Sequence, residues 1–166
     1  ANGFSLVRRI VGDEPFDAIA SIEMFEAVGR EYWPSFFATL RDKLKPGGRA
    51  CLQSITIRDD LFERYAASTD FIQQYVFPGG LLPGPQAFRD EAAKAGLVVE
   101  RELAFGADYA RTLRDWRHAF LGALPQVRAL GYDERFLRLW EFYFAYCEGG
   151  YAENQLGNAQ MLFVRD

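Results

Sequence analysis

The chain has 166 residues, of which 49% are hydrophobic and 25% are charged, and its formal net charge is −4. This composition supports a buried core and excludes disordered and collagen-like classes, and the length suits one compact domain. The acidic balance, without a dense run of Lys and Arg, argues against nucleic-acid binding, which depends on neutralising phosphates.

The first third of the sequence alternates strand and helix signals. Residues 16–22 (FDAIASI) form a short apolar run typical of a strand. Residues 31–44 carry apolar side chains at three- and four-residue spacing, which predicts a helix that tolerates Pro34 in its first turn. Residues 45–48 (KPGG) predict a turn, and residues 49–57 (RACLQSITI) predict a second strand.

The middle third contains short elements around one irregular loop. Residues 59–76 are predicted as helical pieces, and residues 77–85 (FPGGLLPGP) are too rich in Gly and Pro for a regular element. Residues 86–95 predict a helix that Gly96 ends. A third strand is predicted over residues 97–105.

The last third predicts two helices and a strand. Thr112 and Asp115 have the spacing of a capping box, which predicts a helix that begins at Thr112. Asp133 is predicted to cap a long helix that continues through Cys147. Residues 158–164 predict the last strand.

This alternation predicts an α/β fold built from βαβ units. Such units form a mostly parallel sheet with helices on both faces. Ligands of these sheets bind beyond the carboxyl ends of the strands. The alternation therefore directs attention to residues 21–29, to residues 53–57 and to the loop after Phe105.

Cysteine and histidine usage indicates neither a disulfide framework nor a metal site. Cys51 and Cys147 lie far apart in apolar contexts, so we predict two buried packing residues in a reducing cytosol. His118 is the one histidine, and no CxxC motif occurs, which makes a metal site unexpected. We also find no apolar run near the roughly 18 residues of a membrane span and no signal-peptide pattern at the N-terminus.

Five ordered blocks of sequence resemble one enzyme family. The KPGG turn resembles that of class I S-adenosylmethionine-dependent methyltransferases. The more specific blocks are FDAIASIEMFEAVG (residues 16–29), QSITI (53–57), FIQQYVFPGGLLP (71–83), FGADYARTL (105–113) and WEFYFAYCEGGY (140–151). These blocks resemble cyclopropane-fatty-acyl-phospholipid synthases and the related mycolic-acid methyltransferases.

The resemblance implies a Rossmann-like class I methyltransferase sheet with inserted helices for acyl-chain binding. The family's main Gly-rich cofactor turn lies upstream of the FDAI strand, and this sequence contains no such motif. We therefore expect residues 1–166 to be a single domain that forms the C-terminal portion of a methyltransferase. The absent N-terminal part would supply the first strands, most of the cofactor site and an active-site cysteine.

The implied activity is transfer of a methylene group from S-adenosylmethionine to a cis double bond of a phospholipid acyl chain. Methyl transfer leaves a carbocation, and a proton must then leave the added methyl group before a cyclopropane ring can close. In the family a bound bicarbonate serves as the base. The resemblance also implies a cytoplasmic enzyme that is peripheral to the inner membrane, and a homodimer is a further expectation.

The resemblance assigns four residues to the catalytic site and one to the cofactor. Glu26 and Tyr109 match side-chain ligands of the bicarbonate, and Ile55 offers a backbone contact. Gln53 stands where some members carry histidine, and it keeps a hydrogen-bond donor without becoming a cation. Glu23 is assigned to cofactor binding. The alternative for both glutamates is that they are helix-start acids favoured by the helix dipole.

The resemblance also assigns an apolar channel for the acyl chain. Phe77, Leu81 and Leu82 lie on a Gly/Pro frame that suits a loop closing over an acyl chain, although these residues could form only a surface turn. Tyr143 and Tyr146 belong to an aromatic stripe that is more often plain core. A buried tyrosine hydroxyl needs a partner, so these two are predicted to face the channel.

A basic face and two other functions remain as alternatives. Arg111, Arg114, Arg117 and His118 form either a solvated face, which we prefer, or a contact for lipid phosphates. The protein could also be a methyltransferase that adds a methyl branch to acyl chains. It could instead be a lipid-binding half-protein or partner subunit without catalysis.

Overall fold

The computed structural model describes residues 14–166, so the signal-peptide expectation for the N-terminus concerns residues outside this range. In this range the structure contains four strands, numbered here β1 to β4, and seven α-helices, numbered α1 to α7. The strands are Phe16–Ile22, Leu44–Ile57, Leu97–Ala104 and Leu156–Arg165. The helices are Trp33–Lys43, Asp59–Ala66, Phe71–Tyr75, Pro85–Lys94, Gly106–Gly122, Leu124–Ala129 and Glu134–Ala152.

The strands form one mixed sheet in the order β1-β2-β4-β3. β1 pairs with β2 in parallel, whereas β4 pairs antiparallel with both β2 and β3. β1, β2 and β3 therefore run in one direction, and the predicted α/β Rossmann-like fold is confirmed. The expectation of mostly parallel pairing is wrong, because β4 enters between β2 and β3 and makes two of the three pairings antiparallel.

The main core lies between one face of the sheet and α1 and α4. Leu52 of β2 pairs with Met161 of β4, and both side chains are buried on this face. Phe37 of α1 and Phe88 of α4 pack ring to ring against them at a centroid distance of 5.2 Å. The apolar spacing that predicted these helices therefore marks the side that they bury.

The start of β2 and the start of α5 differ from the predictions. The strand already begins at Leu44, and the predicted KPGG turn becomes a register shift opposite β1, with Gly47 in the left-handed region at φ +73°. α5 begins at Gly106, so the start predicted at Thr112 is wrong. Thr112 donates its hydroxyl to the carbonyl of Asp108 at 2.9 Å, which uses the side chain inside the helix rather than as a cap.

A second aromatic cluster joins α5 and α7 to the sheet. Leu113, Phe144, Cys147 and Tyr151 are buried in it, which confirms the packing role predicted for Cys147. Glu148 of α7 binds two arginines of the predicted basic face, Arg114 at 2.8 Å and Arg117 at 3.1 Å. His118 is exposed, as predicted for a surface histidine.

The other face of β1 is open. Ala18, Ala20 and Ile22 are exposed there, with Ile22 at 69%. Cys51 of β2 lies beside Ala20 and is only half-buried, so the prediction of full burial is wrong for this residue. Within residues 14–166, no helix is long and apolar enough to cross a bilayer.

Asp133 caps α7, as the sequence predicts, and its side chain accepts a hydrogen bond from the Phe136 amide at 2.8 Å. Replacing Asp133 with alanine is expected to lower the free energy of unfolding by about 1 kcal/mol, because that amide loses its partner. Asp133→Asn keeps an acceptor oxygen and is the matched control. Chemical denaturation measures both, and equal losses for the two variants would contradict the capping role.

Candidate active site

A cavity of about 980 Å³ lies between the ends of β1 and β2 and the helices α5 and α7. Glu23, Glu26 and Tyr109 line its polar end. Leu82 and Tyr143 are among its apolar lining residues. An apolar pocket with a few convergent polar groups is the usual form of a small-molecule site. The cavity also lies at the carboxyl ends of parallel strands, where the fold class places ligands.

Glu23 is the centre of the polar end. It follows the last residue of β1 directly, its backbone lies in the left-handed region at φ +49°, and its amide donates to the carbonyl of Gln53 at 2.9 Å. Its carboxylate oxygen Oε1 accepts from the Tyr109 hydroxyl, from Gln53 Nε2 at 2.9 Å and from Asn158 Nδ2 at 3.0 Å. Three donors from three elements therefore converge on one oxygen.

β4 fixes the orientation of these donors. In the antiparallel register Gln53 lies opposite Gln160, and Ile55 lies opposite Asn158. Gln160 Nε2 donates to Gln53 Oε1 at 2.9 Å. The amide oxygen of Gln53 is thereby engaged, so its Nε2 must point to Glu23.

Glu26 lies in a 3-10 turn over Phe25–Ala27 and binds a different part of β2. Its Oε1 accepts from the Ser54 hydroxyl at 2.9 Å and from the Ile55 amide. Its Oε2 is buried and has no hydrogen-bond partner. Among the residues of the described range, Tyr151 Oη and Asn158 Oδ1 are also buried without a partner. Native proteins seldom leave such atoms unpaired, so this region is suited to a bound molecule.

The two carboxyl groups have pKa values shifted in opposite directions. Burial works against ionisation of Glu23, but the hydrogen bonds from Tyr109, Asn158 and Gln53 outweigh it and lower its pKa. Burial raises the pKa of Glu26, and the charge of Glu23 adds to the rise. Burial and the neighbouring Glu23 raise the pKa of Tyr109 to about 12, so its hydroxyl stays a donor.

The structure brings four of the five predicted channel residues to the cavity. Phe77, Leu82, Tyr143 and Tyr146 line it, and the rings of Phe77 and Tyr143 are 6.4 Å apart. Leu81 is a correction, since it lies outside this lining and packs against the main core. Its amide donates to the carbonyl of Glu26 at 2.8 Å, which joins this loop to the turn that carries Glu26.

The hydroxyl of Tyr146 has a hydrogen-bond partner, whereas burial shifts the pKa values of the neighbouring Tyr143 and Cys147. Tyr146 donates to Asp70 Oδ2 at 3.4 Å. Burial raises the pKa of Tyr143 and of the Cys147 thiol, each to about 12. Cys147 is therefore an uncharged wall of the cavity and not a nucleophile. Within residues 14–166, no group of three His, Cys, Asp or Glu side chains is arranged to hold a metal ion.

The structure also adds site residues that the sequence analysis did not single out. Ser54 and Asn158 are buried against the two glutamates, and Gln160 orients Gln53. A signal was present, because Asn158 and Gln160 stand two residues apart in an otherwise apolar strand. Polar side chains at a period of two share one face of a strand, which here is the face toward the site.

Comparisons with known proteins show the family to which this chain is similar. A profile of the mycolic acid cyclopropane synthetase family matches residues 10–161. The chain is 38% identical over 155 residues to tuberculostearic acid methyltransferase UfaA1 of Mycobacterium tuberculosis. This alignment covers 93% of this chain and 36% of UfaA1. The chain is 34% identical over 155 residues to the cyclopropane-fatty-acyl-phospholipid synthase of Escherichia coli, covering 92% of this chain and 38% of that protein.

Solved structures show the same architecture. The mycolic acid cyclopropane synthase CmaA1, complexed with SAH and CTAB, superposes with a TM-score of 0.84 at 28% identity. The superposition covers 93% of this chain and 57% of CmaA1. The chain thus spans little more than a third of the length of the two curated relatives and just over half of this solved structure.

Proposed function

This chain belongs to the mycolic acid cyclopropane synthetase family of S-adenosylmethionine-dependent methyltransferases, and from that premise we propose that it forms the acyl-chain side of an active site. The proposed reaction transfers a methylene group from S-adenosylmethionine to a cis double bond of a phospholipid acyl chain. The observation that carries this proposal is the cavity of about 980 Å³, which has an apolar wall and a carboxylate–tyrosine cluster at one end.

The cavity suits the needs of that reaction. An alkene is a weak nucleophile, so the acyl chain and the sulfonium must be held close and in line. Phe77, Leu82 and Tyr143 offer an apolar wall for the substrate. Glu26 and Glu23 lie at the polar end of the cavity, where fixed negative charge stabilises the positive charge that develops in the proposed reaction.

The test is product analysis with the full-length protein, by which we mean this chain joined to the N-terminal portion proposed below. We expect incubation with S-adenosylmethionine and vesicles of oleoyl phospholipid to add one methylene group to the acyl chains, detected by mass spectrometry. Vesicles of fully saturated phospholipid are the matched control, because they lack the reacting bond. Equal modification of both lipids, or of neither, would contradict the proposed function.

A second candidate is a methyltransferase that adds a methyl branch to acyl chains. The observation in its favour is the 38% identity to UfaA1, which is named a methyltransferase, against 34% for the cyclopropane synthase. A branch and a ring differ by two hydrogens, so the same mass spectra separate the two products.

We also propose that the chain is the C-terminal portion of a methyltransferase domain. The exposed apolar face of β1, with Ala18, Ala20 and Ile22, supports a further layer of protein there.

Phe77 and Trp116 are more than half exposed while they line the cavity, which supports docking of the cavity on a lipid surface.

The isolated chain is expected to bind S-adenosylmethionine weakly, and therefore to be inactive. The family's Gly-rich cofactor turn does not occur in this sequence, and such turns let backbone amides approach a ligand closely. Calorimetry should detect no micromolar binding to residues 1–166, whereas the full-length protein should bind. A micromolar Kd for the isolated chain would overturn the division of the site between two portions.

Bicarbonate, the base implied by the family resemblance, does not fit the residues present here. The side chains of Tyr109 and Gln53, assigned to it by the resemblance, donate instead to Glu23. The amide of Ile55 donates to Glu26. Two of the three unpaired buried atoms, Glu26 Oε2 and Asn158 Oδ1, are oxygens without an attached donor hydrogen when Glu26 is ionised. An added anion would meet the ionised Glu23, and the three donors that the resemblance assigns to it are already engaged. The one unpaired buried hydroxyl, Tyr151 Oη, is not among them.

A further inference from the structure

We propose that Glu23 itself is the base that removes the proton from the methylated intermediate, and that turnover needs no bicarbonate. This inference rests on the proposed function, which requires such a base, and it assigns that role to a side chain of this protein. The assignment follows from how the donors of the site are used, from the backbone at Glu23 and from the exposure of one carboxylate oxygen.

The donors leave one carboxylate oxygen of Glu23 available. Tyr109, Gln53 and Asn158 all donate to Oε1. Within residues 14–166, Oε2 receives no hydrogen bond, and the side chain is exposed at the wall of the cavity. Oε1 therefore fixes the carboxylate, while Oε2 can meet a proton of the substrate.

The backbone supports a specific role for this position. Glu23 adopts φ +49°, a region that costs a non-glycine residue free energy. The amide of Glu23 is held by the carbonyl of Gln53 at 2.9 Å, so the conformation is fixed by β2. A glutamate thus stands where the backbone favours glycine, and its Oε1 accepts from Tyr109, Gln53 and Asn158.

The lowered pKa of Glu23 is compatible with this step. A carbocation releases a proton from an adjacent methyl group to almost any acceptor, so position matters more than basicity. The two carboxyl groups also have opposite pKa shifts, a pattern that separates the roles of paired acids. Glu23 stays ionised at neutral pH and is ready to accept a proton.

The step balances without another reactant. The π electrons of the alkene form the bond to the methyl carbon, and the C–S electron pair leaves with S-adenosylhomocysteine. Glu23 Oε2 then takes a proton from the added methyl group, and the freed C–H electron pair closes the third side of the ring. The exposed carboxyl group releases its proton to solvent.

The first test measures turnover of the full-length protein in buffer stripped of carbon dioxide, with S-adenosylmethionine and oleoyl phospholipid vesicles. We expect the wild-type rate to change less than about twofold when bicarbonate is added. Glu23→Gln should lower the rate about 10²- to 10⁴-fold, the usual contribution of a positioned base. Glu141→Gln is the matched control, because Glu141 is exposed on α7 outside the cavity lining.

The second test uses Glu23→Gly, which suits the left-handed backbone and so should fold at least as well. This variant frees Tyr109, Gln53 and Asn158 as donors around an empty space of carboxylate size. Added bicarbonate or formate should raise its rate at least tenfold. Magnetic resonance of isotopically labelled bicarbonate should show binding to Glu23→Gly and none to the wild type, which is a readout independent of turnover.

The outcomes separate this inference from the proposed function. A wild-type enzyme that turns over only with bicarbonate, or binds labelled bicarbonate at the site, would overturn the role of Glu23 and leave the proposed function intact. Native turnover of Glu23→Gly without any added anion would do the same. Absence of lipid methylation by the wild type under every condition would overturn the proposed function, and this inference with it.

Discussion

Replacing Glu26 with glutamine is expected to lower kcat about 10²- to 10³-fold, with little change in the KM for phospholipid. The substitution keeps the shape of the side chain, and the amide oxygen can still accept from Ser54 and Ile55. It removes the negative charge of the ionised carboxylate, whose Oε2 atom is buried beside the cavity without a hydrogen-bond partner. The loss should therefore fall on the positively charged transition state and not on binding of the neutral acyl chain.

The measurement is steady-state kinetics with oleoyl phospholipid vesicles, together with product analysis using S-adenosylmethionine that carries a fully deuterated methyl group. The Glu26→Gln product should still lose one deuterium, because Glu23 remains in place. Glu63→Gln is the control, since Glu63 is exposed and pairs with Arg30 at the surface. Near-native kcat, or a loss expressed mainly in KM, would rule out the electrostatic role of Glu26.

Replacing Phe37 with alanine is expected to lower the free energy of unfolding by about 3–5 kcal/mol. Phe37 has 0% exposure, and its ring lies 5.2 Å from that of Phe88, 5.5 Å from that of Phe25 and 6.2 Å from that of Phe163. These rings belong to α4, to the turn that carries Glu26 and to β4. A cavity at Phe37 therefore removes contacts to all three at once.

Equilibrium denaturation of the full-length protein measures this loss. Phe142→Ala is the matched control, because Phe142 is 51% exposed, and removal of its ring should cost less than about 1 kcal/mol. The void left by Phe37→Ala is expected to reduce enzymatic activity at elevated temperature before it reduces substrate binding at low temperature. Similar losses for both phenylalanines would show that the ring cluster is not the centre of the core.

The sequence predicted the elements well where local chemistry decides them. The apolar spacing in α1 and the Asp133 cap of α7 are both confirmed. The α5 start failed because the Thr112 hydroxyl has a carbonyl of its own helix as an alternative partner. A capping pattern shows which hydrogen bonds a side chain can make. Which of these bonds forms depends on the conformation of the surrounding backbone.

The candidate site was predicted in part. The motif blocks placed Glu26 and Tyr109 near one cavity, and the structure puts both in its lining. The contacts among the site residues differ from the expectation, since Tyr109, which was expected to bind bicarbonate, donates to Glu23. Glu23, assigned to cofactor binding, is the acceptor of the cluster, because its left-handed backbone turns its carboxylate toward β4 and α5.

The sequence by itself determined the class of fold, most element positions and the residue types available for chemistry, because hydrophobic period and caps act between near neighbours. The tertiary structure alone decided that β4 runs antiparallel between β2 and β3. An alternating strand has the same pattern whichever strands flank it, so its neighbours and register follow from the packing of the whole sheet. That register places Asn158 and Gln160 beside Gln53 and Glu23. It therefore determines which side chains donate hydrogen bonds to Glu23 and Gln53.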